Sequence, residues 1–251
     1  MFRLLPSLAV AGFLMTAAPA PAAEPMTAEE KAAIETIVRD YLLANPEVIQ
    51  EALVSLEQKR QQAEQEARTA AVSSMEDLIY NSSRQVVLGD PNAPIALVEF
   101  FDYNCGYCKR ALDDTLALLD EKDVKIILKE FPILGPGSVE AARVAVAVNL
   151  AAPDRYLDFH KALLTGRGQA DEKRAFTVIE ELGMDADAIR AKMGDPEVAN
   201  TLEEVYTVAN RLGLSGTPTY VIGNEVVFGA VGVDDLKTKI IAMRECGKAV
   251  C

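Results

Sequence analysis

Cys105-Gly106-Tyr107-Cys108 follows directly on the apolar run Ile95 to Phe101. Two cysteines spaced C-x-x-C where a strand ends and a helix begins make a dithiol that can close into a small disulfide. The first cysteine falls near the helix N-terminus, where unpaired backbone N–H groups and the macrodipole favour an anion. Cys105 is therefore expected to have a lowered pKa and to act as a thiolate nucleophile near neutral pH. Cys108, one turn later, is placed to attack any mixed disulfide formed at Cys105. This is electron transfer through sulfur, and it calls for no cofactor.

The compartment has to permit such chemistry. Residues 1–23 read as a secretory signal peptide: Arg3 gives a short basic start, Leu4 to Ala18 is mostly apolar, and Ala20-Pro21-Ala22 offers a small-residue cleavage site. Cleavage is expected near Ala22 or Ala23. The apolar stretch falls short of the ~20 residues that a spanning helix needs. The expected mature chain is exported, to a place where disulfides form and persist. The sequence carries 25 Lys+Arg against 38 Asp+Glu, a net charge of −13. That balance argues against nucleic acid or an anionic membrane surface as partner.

The chain changes character near residue 85. Residues 27–83 have helical periodicity and few strand formers. Thr27 with Glu30 forms a capping-box pattern, and Ile34, Ile37, Val38, Tyr41 and Leu42 then share one face. Asn45-Pro46 breaks that helix and starts another, whose stripe continues through Val48, Ile49, Leu53 and Leu56. From Gln58 to Arg68 the residues are good helix formers with almost no apolar face. Two readings stand for residues 24–84: a solvated helical linker, or a segment whose stripe pairs with copies of itself, the polar helix serving as a stalk. The second makes residues 27–56 the contact of a homo-oligomer.

From Gln85 the pattern is α/β. A turn cluster, Gly89 to Pro94, precedes the strand Ile95 to Phe101, and the dithiol opens a helix to about Leu119. Val124 to Phe131 reads as a second strand. Residues 138–213 are almost entirely helical pattern. Strands return at Thr219 to Ile222 and Val226 to Phe228 around a Gly223-Asn224 turn, and a last helix runs from about Val233 to Arg244. This order is the thioredoxin fold with an inserted helical subdomain, and it spans residues 85–251.

The C-x-x-C, the late Gly216-Thr217-Pro218-Thr219 and the helical insertion together resemble the DsbA-like family of periplasmic thiol–disulfide oxidoreductases. The resemblance implies that Pro218 is cis and lies beside the dithiol, where the backbone can pair with an incoming peptide. It implies that Thr217 tunes the site and that Glu99, six residues before Cys105, is a buried acid assisting proton transfer. An ordinary strand carboxylate facing water is the other reading of Glu99. Its neighbours Val98 and Phe100 look buried, which favours the first. Lys129, beside Glu130, is a candidate partner for it. The implied partners are exported proteins with cysteines, as substrates, and a membrane redox partner that resets the dithiol.

The N-terminal helices, with Phe100-Phe101-Asp102-Tyr103-Asn104 ahead of the dithiol, resemble the suppressor-of-copper-sensitivity C and Com1-like branch, some members of which assemble through such helices. Gly106-Tyr107 departs from the Pro-His pair of the strongly oxidising members. Tyr107 brings no positive charge, so a less oxidising disulfide is expected. Gly-Tyr also occurs in dimeric isomerases, and an oligomeric disulfide isomerase is the function expected here. The alternatives are a monomeric oxidase that donates its disulfide, and a copper-binding or chaperone protein, since thiolates suit Cu(I).

Cys246 and Cys251 remain. With the active dithiol paired within itself, they are expected to form a local structural disulfide; a second redox site is the rival reading. Zinc held by all four cysteines is not expected, because the two pairs are distant and no His flanks either. The single His, His160, is expected at a surface or capped helix position.

Overall fold

The computed structural model describes residues 26–251; the signal-peptide reading of residues 1–23 lies outside them. The chain divides into two compact units between Gln58 and Lys59. In the first, α1 (Ala28–Ala44) begins at Thr27, whose Oγ1 accepts from Glu30 N–H at 3.2 Å while Thr27 N–H donates to Glu30 Oε2 at 2.9 Å. This is the capping box that the sequence implies. Asn45 ends the helix, and α2 (Glu47–Ser74) starts directly after Pro46. No side chain of α1 is buried. Ile37 is 67% exposed, Tyr41 56%, Leu53 61% and Leu56 64%.

The expected division at residues 84 and 85 is displaced. The later part of the apolar stripe and the polar stretch from Gln58 to Arg68 belong to the same helix, and from Lys59 on that stretch is part of the second unit. Ala71 and Val72 of α2 and Ile79 of α3 (Glu76–Tyr80) are buried in that unit's core. Composition hid this, because two small apolar residues at the end of a charged helix make a weak stripe. A five-residue helix is equally hard to read.

The second unit is built on a five-stranded sheet in the order β1-β3-β2-β4-β5. Its strands are β1 (Val86–Leu88), β2 (Ile95–Phe101), β3 (Val124–Glu130), β4 (Thr219–Ile222) and β5 (Glu225–Phe228). β2 and β3 are parallel and joined through α4 (Gly106–Ala117) and a short 3₁₀ turn, Leu118–Asp120; the other pairs are antiparallel. A parallel pair requires such a crossover. The edge strand β1, three residues long, is not apparent in the sequence. β4 turns into β5 at Gly223, whose φ of 55° suits glycine at the first position of a two-residue hairpin turn. The insertion consists of α5 (Pro136–Ala151), α6 (Tyr156–Thr165), α7 (Glu172–Glu181), α8 (Ala186–Lys192) and α9 (Pro196–Arg211), and α10 (Val233–Cys246) closes the unit.

Alternation along the strands sorts the core into two layers. Leu97 and Phe101 of β2, with Ile126, Leu128, Tyr220 and Ile222, face α4, α10 and the insertion. Val98 and Phe100, with Ile127, Val221 and Val226, face the end of α2, α3 and α9. No helix among the described residues is long and apolar enough to cross a membrane.

Candidate active site

β2 delivers the chain to a tight turn ahead of α4, and that turn is heavily tied. Asp102 is buried and its carboxylate accepts four hydrogen bonds. Oδ1 takes Asn104 N–H and Ser138 Oγ–H, each at 2.7 Å; Oδ2 takes Ile133 N–H at 2.8 Å and Leu134 N–H at 3.0 Å. The Asn104 amide donates to Ser138 Oγ at 3.0 Å and to the Ala170 carbonyl at 2.8 Å, and accepts from Ala170 N–H at 2.7 Å. These bonds satisfy buried polar groups and fix the dithiol turn against the insertion. Cys105 N–H donates to the Asp102 carbonyl at 2.9 Å.

Cys105 is the N-cap of α4. Its Sγ accepts from Cys108 N–H at 3.4 Å, in the position where a capping side chain meets the helix's unpaired donors. Both cysteines are free thiols; Cys105 is 5% exposed and Cys108 fully buried. The Cys108 thiol, hydrogen-bonded to Cys105, is the largest cause that lowers the Cys105 pKa to about 5. The backbone N–H groups of Cys108 and Tyr107 add to it, and burial opposes them. Cys108 is pushed far up by the same hydrogen bond and by burial. One sulfur of the pair is thus an anion near neutral pH and the other a held thiol.

The Thr217–Pro218 bond is cis. In its thiol form Cys105 donates to the Thr217 carbonyl at 3.1 Å, so the loop before β4 lies directly against the sulfur. Gly229 N–H donates to the Pro218 carbonyl at 2.9 Å, anchoring that loop to the residue after β5.

Glu99 is 4% exposed and stands on the α4 side of β2, directly opposite Tyr220 in the antiparallel register with β4. Burial raises its pKa to about 8; hydrogen bonds with Thr115 and Tyr220 act downward, and the charge of Cys105 acts upward. Val98 and Phe100 are buried on the other face. Lys129 is on that other face too, where Nζ donates to the Leu78 carbonyl at 2.8 Å and to Gln85 Oε1 at 3.1 Å. It is therefore not the partner of Glu99. The side chains of Glu99 and of Lys129, whose register partner on β2 is Phe100, leave the sheet in opposite directions.

His160 is not at the surface. It is 2% exposed, lies parallel to Tyr156 with ring centroids 5.9 Å apart, and meets Phe101 edge-on at 4.8 Å. Burial holds its pKa at about 3, so it is neutral at pH 7. Between Asp158 and Lys161 a lone His reads as a surface or capped position, although Tyr156 one turn before it and Phe159 beside it are apolar neighbours in the sequence. Cys246 and Cys251 form a disulfide with a Cα–Cα distance of 6.2 Å. Sequence reasoning missed Asp102 and Asn104 as ties of the turn, and Thr115 and Tyr220 beside Glu99. It also missed Arg110, whose guanidinium lies 4.3 Å from the centre of the exposed Tyr107 ring. Arg110 is three residues beyond Tyr107 on a helix, a spacing that could have suggested the contact.

The chain matches the family model described as a DSBA-like thioredoxin domain over residues 96–241, and that of the copper resistance protein ScsC N-terminal domain over residues 30–63. A thioredoxin-like oxidoreductase from Silicibacter pomeroyi superposes with a TM-score of 0.65 at 35% identity, covering 68% of this chain and 98% of that one. Proteus mirabilis ScsC in a transitional conformation gives 0.63 at 30% identity, covering 88% and 96%. The disulfide bond formation protein D of Bacillus subtilis is 26% identical over 169 residues, which is 62% of this chain and 75% of that protein. Antiporters named NhaA also match; for the one from Salinispora tropica, at 25% identity, the match takes in 63% of this chain and 24% of the antiporter.

Proposed function

The chain belongs to the DsbA-like family of thiol–disulfide oxidoreductases, and within it we propose an exported, periplasmic disulfide isomerase that works as an oligomer. The observation that carries the chemistry is the asymmetry of the dithiol: a thiolate-prone Cys105 capping α4, with a buried, protonated Cys108 behind it. The Cys105 thiolate attacks a client disulfide. One S–S bond forms to Cys105, the client's S–S bond breaks, and the other client sulfur leaves as a thiolate. That thiolate can attack a different client disulfide, which reshuffles the client. Alternatively Cys108 loses its proton to the ionised form of Glu99 and attacks Cys105. The second route releases a reduced client and leaves Cys105–Cys108 oxidised. Thr217 and Pro218 form the wall along which the client backbone lies, and a membrane partner resets the dithiol.

The oligomer reading rests on residues 26–58. Ile34, Ile37, Val38, Tyr41, Leu53 and Leu56 are each 47–67% exposed. Burying such a side chain is worth ~1.5–3 kcal/mol, so a few per chain can hold an assembly of copies. Several dithiols then surround one client, which a monomer cannot arrange. Light scattering and scrambled-ribonuclease refolding test this. The mature chain is expected to be oligomeric and active. Removing residues 24–58, which keeps the buried Ala71 and Val72 in place, is expected to give a monomer that still reduces insulin but no longer isomerises. A monomeric mature chain, or full refolding by the truncated form, refutes the reading.

A further inference from the structure

We propose that Tyr220 and Thr115 are positioning residues that close a hydrogen-bonded ring with Glu99 and so govern the proton it exchanges with Cys108. The inference rests on Glu99 as the proton acceptor. Thr115 stands two turns beyond Cys108 on α4, and Tyr220 stands two residues beyond Pro218 on β4. Their hydroxyls are 3.1 Å apart, both buried, and Glu99 is the register partner of Tyr220. One face of β2 thus carries three hydrogen-bonding groups from three different elements.

Counting donors shows what such a ring does. Thr115 and Tyr220 supply one O–H each, and an ionised carboxylate supplies none. In the proposed ring, three contacts would then share two protons, and one contact would be left without a hydrogen. When Glu99 is protonated, three protons serve three contacts. The ring is complete only while Glu99 holds the proton, yet each hydroxyl also donates to the ionised form. Without them, burial would hold the proton more firmly, because an unsolvated carboxylate with no donors is costly. The Thr115 and Tyr220 bonds accordingly act downward on a carboxyl that burial pushes up.

The surroundings leave few other groups to do this. Cys105 and Cys108 face the cluster from α4, and Asp114 of α4 acts on Tyr220. Leu128 is the neighbour on β3, Lys129 points to the opposite face, and α10 brings Leu236 and Ile240 to the same core layer. In the step concerned the Cys108 S–H bond breaks and an O–H bond forms on Glu99. The Cys108 thiolate then attacks Cys105, the Cys105–client S–S bond breaks, and the client sulfur departs as a thiolate that takes its proton from water.

Full-length mature protein with Cys105 and Cys108 as thiols and the Cys246–Cys251 disulfide intact, mixed with dithiobis(nitrobenzoate), releases one coloured thiolate when Cys105 attacks and a second when Cys108 resolves. Followed against pH, the second release is expected to slow about tenfold at neutral pH in Tyr220→Phe, with its inflection moved upward. Thr115→Val is expected to act in the same direction, and it carries the test alone if the tyrosine variant does not fold. The first release keeps its rate in both. Equal slowing of both releases means loss of structure and overturns the inference. An unchanged second release in these variants, with Glu99→Gln slow, overturns the ring and leaves the role of Glu99 standing. An unchanged second release in Glu99→Gln removes both.

Discussion

The two cysteine pairs of this chain are chemically alike and lie at opposite ends of helices. Cys105 caps the N-terminus of α4, with Cys108 inside the first turn; Cys246 is the last residue of α10, and Cys251 follows it in an exposed tail. A helix N-terminus presents unpaired N–H groups to a sulfur and a C-terminus presents carbonyls, so only the first favours a thiolate. The first pair is buried, meets Thr217 and has Glu99 close enough for its charge to be felt. The second is joined covalently, with one sulfur 3.8 Å from the Lys248 carbonyl. The helix end, more than the number of residues between two cysteines, decides whether a pair is poised to react or is used as a clasp.

Substitution gives the largest contrast. Cys105→Ser is expected to abolish insulin reduction, and Cys108→Ser to accumulate mixed disulfides through Cys105, visible as a mass increase after incubation with a client. If Cys108→Ser turned over normally, or Cys105→Ser kept activity, the assigned order of attack would be wrong.

Titration gives the next. Alkylation of Cys105 in the reduced protein is expected to inflect near pH 5, against 9.0 for an ordinary thiol. Cys108 is expected to stay unlabelled through neutral pH. The sign for stability follows from linkage: a group with a lowered folded pKa contributes above its unfolded value of 9.0 and loses that contribution as pH falls through about 5. The advantage of the reduced protein over Cys105→Ser in denaturant unfolding should therefore shrink as pH is lowered toward 5. An inflection near the ordinary thiol value would erase the distinction between the two cysteine pairs.

Much of this placement was legible in the residues. The C-x-x-C after an apolar run marks a strand, a turn and a helix start, and α4 begins at Gly106. Thr27 with Glu30, Gly223-Asn224 and the long helical stretch after Pro136 are equally local signals, and each corresponds to an observed cap, hairpin or insertion. What was hidden depends on register and on packing across distant segments. That Glu99 faces Tyr220 follows only from how β4 aligns on β2, and Lys129 leaves Glu99 because the strands' alternation sends the two to opposite faces. The unit boundary at Gln58 depends on Ala71 and Val72 meeting Val98, Phe100 and Val221, residues far along the chain. His160 is buried by Tyr156 of its own helix and by Phe101 and Tyr103 at the end of β2, and no single window of sequence contains all three.

The smallest effect is expected at the second pair. The disulfide closes a loop with a sequence separation of 5. In the chain-entropy account, a loop of that size restrains the unfolded chain by about 2 kcal/mol. The loop does touch the core, because Ala249 within it is 3% exposed and packs with the α4-facing layer. Releasing the clasp therefore frees a small apolar contact as well as chain entropy. Replacing both Cys246 and Cys251 with serine is expected to lower the denaturant midpoint modestly and to leave insulin reduction and the two-phase release from dithiobis(nitrobenzoate) unchanged. Loss of exchange on the scale of Cys105→Ser would make the tail a second redox site, and the helix-end contrast would fail at the pair where it predicts no reaction.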